Sequence, residues 1–227
     1  MPVTINGDGS ISGLAVGGLP NGSVDADTLA SNAVTTAKIA NGAVSGLKKG
    51  VGSVIQVNQT VKTDTFSTTS FTNTWVDIGP QGSITAIKAG NKIMVEIMLS
   101  VGCTDGRHIS FRLEKDGSAL AGALGDSRGS NRKRGCFHMY QDDQNGQHDQ
   151  HNYVLKYLDT AADTNAHTYN IAVTQWNGQG STEITCNRSK ADGDQDYEST
   201  TISTVTLTEI AASANLIFYI QMVIRSS

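Results

Sequence analysis

The sequence is poor in proline and in charged residues: it contains 3 Pro, and Asp, Glu, Lys and Arg make up 17% of its 227 residues. Glycine occurs 24 times, and Thr and Ser are abundant. This composition is typical of strands joined by turns. It predicts an all-β surface rather than a helical one, and the length accommodates one sizeable domain plus accessory segments.

Cysteine is also scarce. Cys103, Cys136 and Cys186 are widely separated, and their spacing matches no metal motif such as C-x-x-C. An odd number of cysteines without metal spacing predicts buried free thiols and assembly in a reducing cytoplasm.

No excess of positive charge and no long apolar run is present. The net charge is −4 and the isoelectric point is about 5.7, which argues against general electrostatic binding to nucleic acid. The N-terminus lacks a basic region followed by an apolar stretch, so it does not resemble a secretory signal. The longest apolar run, Leu216–Ile224, is too short to span a bilayer. We expect no nucleic-acid partner, no membrane insertion, and a protein that is soluble or carried in a particle.

Catalytic motifs are missing as well. The chain has many Ser and 5 His, but no G-x-S-x-G, no H-E-x-x-H and no phosphate-binding glycine loop. Two carboxyl groups facing each other across a groove, as in glycan-cleaving enzymes, cannot be recognised from spacing alone. The sequence predicts a protein that is not an enzyme and carries no cofactor.

A regular apolar pattern stands out in the N-terminal segment. A five-residue period fits neither a strand nor an amphipathic helix. One chain with so few apolar residues cannot bury them, whereas several copies wound around a common axis can. The pattern predicts a fibrous trimeric stalk. Its apolar positions are Leu14, Leu19, Val24, Leu29, Val34, Ile39 and Val44.

A ten-residue repeat overlies this pattern. Val24–Ala30 is echoed by Val34–Ala40, and Val44 starts a partial third copy. Asp25 or Thr35 is placed to cap a short turn, so we interpret each repeat as one turn joined to an extended link. A disordered linker and an Ala-rich coiled coil remain alternatives.

After residue 50 the pattern changes to short strand-like runs bounded by turn residues, including Asp116-Gly117, Asn145-Gly146, Asn177-Gly178 and Asp192-Gly193. Many short strands without a long helix predict an antiparallel β-sandwich, most simply a jelly roll. We therefore divide the chain into three segments: an attachment segment and stalk over residues 1–50, a β-sandwich head over 51–210, and an apolar C-terminal strand over 211–227. The predicted head strands are Ser53–Lys62, Trp75–Ile78, Gly82–Ile87, Lys92–Val101, His108–Lys115, Gly135–Tyr140, Tyr153–Leu158, Thr168–Gln175, Thr182–Asn187 and Ser203–Ile210.

Two further features of the head predict packing. Within Ile93–Leu99, apolar residues occur on both faces, which is typical of a central strand or of one that faces a partner subunit. Trp75 and Trp176 are expected to pack in the core or at a sheet edge.

Six segments of the chain together carry a resemblance to a known family. They are Thr4–Leu14, Ala37–Val44, Asn91–Val95, Asn187–Ser189, Asp192–Asp194 and Ser203–Ile210. These segments resemble tail-fibre-like structural proteins of bacteriophages, particularly marine ones. The resemblance implies a homotrimeric virion appendage, assembled in the bacterial cytoplasm, with a particle-attached N-terminus and a distal β-rich head that meets the host surface. The chain departs from this family at Ala211–Ser227, beyond the strand where such heads finish.

The predicted function is therefore a homotrimeric tail fibre that binds a host receptor and docks on other virion proteins through its N-terminal segment. A capsid-decorating fibre or cement protein is the alternative, and a glycan-cleaving tailspike is the third. Placement on the particle discriminates the first two.

The loop Gln141–Asn152 is the densest cluster of amide, carboxylate and imidazole groups. Such groups suit a host-surface glycan, with Tyr140 or Tyr153 as a stacking face, although polar loops on β scaffolds are commonly only solvated. His148 and His151 are spaced for a transition metal on a helical turn or at a threefold axis. The candidate receptor-binding residues here are Tyr140, Asp142, Asp143, Asn145, His148, Asp149 and His151.

Two smaller clusters complete the candidates. Asp192, Asp194 and Asp196 place oxygens at alternate positions, as in part of a calcium loop, but the glycine and distal Glu of an EF-hand are missing and a hairpin turn is the alternative. The other cluster is basic and could hold anionic lipopolysaccharide or an acidic subunit face, or simply form a solvated loop. Its members are Arg128, Arg132, Lys133 and Arg134.

Overall fold

A computed structural model describes residues 50–104, 106–141, 146–176 and 182–212, together with residues 4, 5, 7, 11, 12, 24, 27, 29–31, 33–35, 38–40, 43 and 44 of the N-terminal segment. The chain divides into two units, Met1–Ser45 and Gly46–Ser227. Over the described residues the secondary structure consists of antiparallel strands and short 3-10 turns, without an α-helix. No helix in this part of the chain has the length and apolarity needed to cross a membrane.

The N-terminal unit contains local backbone pairing. Strand β1 (Thr4–Ile5) pairs antiparallel with β2 (Ile11–Ser12). Further along, three single turns are closed by backbone hydrogen bonds of 2.9 Å, donated by Ala33 to Ala30, by Lys38 to Thr35 and by Ala43 to Ala40. Successive turns thus begin five residues apart. Leu14 and Leu19 of the predicted stripe lie outside the described residues.

The larger unit is built from the remaining strands, and each predicted head strand overlaps an observed one. Two short strands, β4 (Phe66–Thr68) and β9 (Ser118–Ala119), were not predicted, because such short runs show no alternation. The strands are β3 (Val54–Lys62), β4 (Phe66–Thr68), β5 (Val76–Asp77), β6 (Gly82–Thr85), β7 (Lys92–Cys103), β8 (Arg107–Lys115), β9 (Ser118–Ala119), β10 (Phe137–Gln141), β11 (His151–Thr160), β12 (Ala166–Gln175), β13 (Ile184–Cys186) and β14 (Ser203–Ile210). Two 3-10 turns cover Ala121–Ala123 and Gly146–His148.

These strands form two antiparallel sheets. The first, named the β8 sheet, has the order β10-β8-β12-β5, with β6 also on β12 and β9 on β8. The second, named the β7 sheet, has β3-β14-β7 on one side and β11 on the other side of β7, while β13 pairs with β7 and β4. The all-β, sandwich-like prediction is confirmed at this level.

The core lies between the two sheets because alternate residues of each strand point inward. On the central strand β7, inward side chains such as Ile93, Val95 and Ile97 are buried, and they join inward residues of the β8 sheet such as Phe111 and Ile171 in one apolar cluster. The prediction that Ile93–Leu99 forms a central strand is confirmed.

The cysteines and the turn at Asp116-Gly117 also match the predictions made from the sequence. All three cysteines carry reduced thiols; Cys103 and Cys186 are buried and Cys136 is half-buried. Burial raises the pKa of the Cys136 thiol to about 11. Asp116 and Gly117 have φ of 53° and 72°, the left-handed conformation that a tight hairpin between β8 and β9 requires. Predicted turns at Asn145 and Asn177-Gly178, and the predicted C-terminal strand beyond Ala212, lie outside the described residues.

Candidate functional site

The outer face of the β8 sheet carries a group of aromatic and imidazole side chains. Because successive residues of a strand point to opposite faces, the inward residues enter the core and their neighbours face outward. Tyr140 of β10 lies opposite His108 of β8, and His138 lies opposite Ser110. Trp176, directly after β12, is 52% exposed.

The two imidazoles are in direct contact. The Nδ1 atom of His108 lies 3.2 Å from the Nε2 atom of His138, and Ser110 Oγ lies 3.5 Å from His138 Nδ1. The ring of Tyr140 stacks on His108 with 4.3 Å between centroids. Burial, and next the charge of His108, lower the pKa of His138. Two imidazolium rings would point N–H donors at each other, so this contact needs at least one neutral ring.

A groove opens beside these rings, with a volume of about 530 Å³. A second hollow of about 450 Å³ shares Asn131, Lys133 and Trp176 with it. We name the two together the β8 groove. Volumes of this size match those of small-ligand sites, about 300–1,000 Å³. The described residues lining the larger hollow are His108, Ser110, Asn131, Arg132, Lys133, Gly135, Cys136, Phe137, His138 and Trp176.

Trp176 was predicted to pack in the core or at an edge, but it stands exposed in the groove. Its backbone is held by the preceding residue, Gln175, which donates from its amide to Phe71 at 3.2 Å and accepts from Asn73 at 2.9 Å. The Gln175 side chain donates to Thr72 Oγ1 at 2.6 Å. These bonds hold an exposed indole at the end of a rigid strand. Trp75 behaves as predicted, packing under the guanidinium of Arg112 at 4.3 Å.

The cations of the groove come from the loop before β10. Cys136 donates its amide hydrogen to Phe111 O at 2.7 Å, and Gly125 donates to Gly135 O at 3.0 Å. Arg134 donates through Nε to Gly125 O at 2.9 Å. A Cβ atom at position 135 would lie 2.3 Å from Phe111 O, so this close approach requires glycine.

The predicted basic cluster is therefore divided. Arg132 and Lys133 line the groove, whereas Arg134 binds its own loop and Arg128 lies 3.9 Å from Asp126 on the exposed surface. Among the described lining residues are two permanent cations and two imidazoles, and no carboxylate. The groove is thus a positively charged, aromatic surface on an acidic protein.

The predicted loop cluster around Gln141–Asn152 is also divided. Tyr140 belongs to the β8 sheet, whereas His151 pairs with Val101 in the β7 sheet. His148 Nδ1 lies 2.6 Å from Glu198 Oε1. Tyr140 and His151, which were predicted to share one site with His148, thus belong to different sheets, because the chain crosses from one sheet to the other within this loop.

Other members of that loop site have separate positions. Asp149 is exposed. Tyr153, the other proposed stacking face, packs on Phe137 with 4.8 Å between centroids as part of the core boundary. Asp142, Asp143 and Asn145 lie outside the described residues.

The weak candidates for metal ligands have other partners or stay apart among the described residues. His148 is paired with a carboxylate rather than with His151. Arg188 Nη1 lies 3.5 Å from Asp192 Oδ2, so a guanidinium already stands where a cation would bind. Within the described part of the chain, no three His, Cys, Asp or Glu side chains group as a metal site, and this includes Asp192, Asp194 and Asp196.

A pair of carboxyl groups lies elsewhere on the β8 sheet. Asn170 Nδ2 donates to Asp77 Oδ1 at 2.6 Å and contacts Glu114 Oε2 at 3.4 Å. Burial, and next the charge of Glu114, raise the pKa of Asp77. Arg112 Nε donates to Glu114 Oε1 at 2.7 Å. Neither carboxyl lines the groove, so the pair provides no support there for the glycan-cleaving alternative.

Sequence reasoning missed His108, His138 and Trp176 as members of a site. The two histidines are 30 residues apart in the chain, and only the register of β8 with β10 brings them together. Alternation within one strand cannot show which strands are neighbours in a sheet.

Comparisons with known proteins add nothing to this geometry. No protein-family model matches the chain, and no curated protein matches it.

Proposed function

We propose that the protein is a bacteriophage virion structural protein, a homotrimeric tail fibre whose jelly-roll head binds the host surface. The observation that carries the proposal is the exposure of the N-terminal stripe. Each of its described members is between 42% and 56% exposed in a single chain. These members are Val24, Leu29, Val34, Ile39 and Val44.

Exposed apolar residues at a fixed interval favour self-association. Fully burying a Val, Leu or Ile side chain contributes about 1.5–3 kcal/mol, so covering a half-exposed one contributes roughly 1 kcal/mol. The sum over the stripe, repeated in each copy, favours association of the chains. Three chains around one axis give every stripe residue a partner of its own kind.

A second apolar surface, on the head, supports the same assembly. On the outer face of the β7 sheet, Thr208 lies opposite both Val57 and Met94, and Met94 lies opposite Leu158. A parallel row runs through Val61, Thr204, Met98 and Val154. Val57, Val61, Val154 and Leu158 are 45–65% exposed. Two apolar rows across one sheet are typical of a subunit interface.

The N-terminal segment, residues 1–50, is the proposed attachment to other virion proteins. The predicted stalk precedes the head in the sequence. This order and the resemblance to tail fibres support attachment through the N-terminal segment. The protein then assembles in the bacterial cytoplasm and is carried on the virion.

The β8 groove supports receptor binding. Loops on a rigid β scaffold are common binding sites, and three copies on one fibre multiply a weak affinity through avidity. A capsid-decorating fibre or cement protein would share the stripe and the trimer, but a protein that binds no receptor does not require the groove.

Virion placement tests the proposal. In a cryo-EM map of the particle of the phage whose genome encodes this chain, we expect the protein in low copy number at the tail. Removing residues 1–50 should give a folded head that no longer incorporates into particles. Purified full-length protein should compete with the phage for adsorption to host cells. Location on capsid symmetry axes, with no competition, would instead favour the decorating protein.

A further inference from the structure

We propose that the β8 groove binds an acidic saccharide, with a sugar ring on Trp176 and a carboxylate or phosphate group held by Arg132 and Lys133. This inference rests on the proposed receptor-binding role and names the ligand class for it. Nothing in the sequence motifs pointed to Trp176 as part of this site.

The charge of the groove selects an anion. Arg132 and Lys133 line it, and the described lining residues include no acid. The chain as a whole is acidic, with a net charge of −4, so this cationic region is local and does not attract polyanions over the entire surface. A guanidinium also offers two parallel N–H donors that match a carboxylate or phosphate.

The exposed indole selects a ring. Trp176 is 52% exposed, although an indole is usually buried by its own protein. The backbone that carries it is anchored, because the neighbouring Gln175 is bonded to Phe71, Thr72 and Asn73. A flat, exposed aromatic face fits the apolar side of a pyranose, and an anchored backbone limits the conformational freedom lost on binding.

Polar groups around the indole suit hydroxyls. Asn131 offers an amide, Ser110 a hydroxyl, and His108 and His138 imidazole nitrogens that donate or accept according to tautomer. Asn131, Lys133 and Trp176 border both hollows of the groove. The continuous surface therefore accommodates more than one sugar unit of a chain.

Calorimetry on the full-length protein tests the inference with matched probes. Oligogalacturonate supplies rings with carboxylates, its methyl ester supplies the same rings without charge, and a phosphorylated mannan oligosaccharide supplies rings with phosphate. Polyglutamate supplies carboxylates without rings. We expect binding of one or both acidic saccharides, and at least about tenfold weaker binding of the ester and of polyglutamate.

Variants locate the binding. Trp176→Ala and the double variant Arg132→Gln/Lys133→Gln should each weaken acidic-saccharide binding about tenfold. Arg128→Gln and Tyr197→Ala, which remove a cation and an exposed aromatic ring outside the groove, should leave it unchanged. Circular dichroism and melting temperature serve to show that each variant is folded.

The outcomes separate this inference from the proposed function. Equal binding of the ester and the acid, or of polyglutamate and the saccharide, would overturn the ligand class. Acidic-saccharide binding that survives the groove variants would overturn the site. Absence of all binding, while the protein still competes for adsorption, would overturn the inference and leave the tail-fibre role intact. Loss of competition as well would remove both.

Discussion

His108 and His138 share a ring contact of 3.2 Å between Nδ1 and Nε2. The contact joins adjacent strands at the wall of the β8 groove, next to the cations Arg132 and Lys133. Its protonation state therefore sets how much positive charge the groove presents, above the fixed charge of the two basic residues.

Binding of an acidic saccharide should consequently strengthen as the pH falls. The pKa of His138 is lowered from the ordinary value of 6.5, first by burial and next by the charge of His108. His138 therefore takes up its proton only below that value, and an anionic ligand favours the protonated form. Between pH 7.5 and pH 5.5, we expect the affinity for oligogalacturonate to rise several-fold, measured by calorimetry.

The double variant His108→Gln/His138→Gln is the diagnostic comparison. It should lose this pH dependence, because it removes both imidazoles found among the described lining residues of the groove. His167→Gln, on a residue outside the groove, should retain it. An unchanged pH profile in the double variant would assign the titration to another group.

His167 controls a separate pH effect, on stability. Its Nδ1 lies 2.6 Å from Asp116 Oδ2 and its Nε2 lies 3.0 Å from Asp163 Oδ1. The hydrogen bond to Asp116, opposed by burial and aided by Asp163, raises the pKa of His167 above 6.5. A raised pKa in the folded state means that the stabilisation is fully present below pH 6.5 and is lost as the pH rises through the folded-state value.

We therefore expect His167→Gln to lower the melting temperature more at pH 5.5 than at pH 8.5. The effect should stay below about 1 kcal/mol, because both carboxylates are 47% exposed. Both also have lowered pKa values, so their share is lost only as the pH falls toward and below 3.8. A deficit that is larger at pH 8.5 would contradict the assigned protonation state.

Glu209 should be essential for stability. It is fully buried and accepts hydrogen bonds from Gln56 Nε2 and Asn91 Nδ2, both at 2.6 Å, and from the amide of Ile87 at 3.0 Å. Glu209→Ala removes the acceptor of the buried Asn91 side-chain amide and of the Ile87 backbone amide and opens a cavity, so we expect a loss of roughly 3 kcal/mol in the free energy of unfolding. Thr208→Ala, on the outer face of the same strand, should cost less than about 1 kcal/mol. Equal losses in urea denaturation would show that the network is dispensable.

Gly135 should be needed for the shape of the groove. Because its Cβ would lie 2.3 Å from Phe111 O, Gly135→Ala must push the basic loop away from β8. We expect a loss of about 1–3 kcal/mol in stability and weaker saccharide binding. Gly125→Ala is the control, since a Cβ there meets Gly135 O at an ordinary 3.5 Å. If both variants bind and melt like the wild type, the loop position does not depend on this contact.

Much of the fold could be predicted from sequence, because individual strands can be recognised from their local pattern of apolar and polar residues. Ser203–Ile210 alternates polar and apolar residues, Ile93–Leu99 is apolar on both faces, and both are observed strands of the β7 sheet. Strand order could not be predicted, because β14 pairs with β3 and β7 from distant parts of the chain.

The site was harder to predict for the same reason. The basic cluster was found because its members are consecutive in sequence, and two of them do line the groove. The loop cluster was proposed from proximity in sequence, whereas Tyr140 and His151 enter different sheets. Trp176 gave no signal of exposure, since its local sequence is equally compatible with burial.

Oligomeric state is the most direct test of the central claim, that the exposed apolar stripe is an interface between copies. Multi-angle light scattering of the full-length protein at micromolar concentration should give three times the chain mass of 23.9 kDa. Val34→Asp/Ile39→Asp should weaken the trimer along the stalk while the head stays folded, because like charges would be buried together. A stable wild-type monomer of 23.9 kDa would contradict the account.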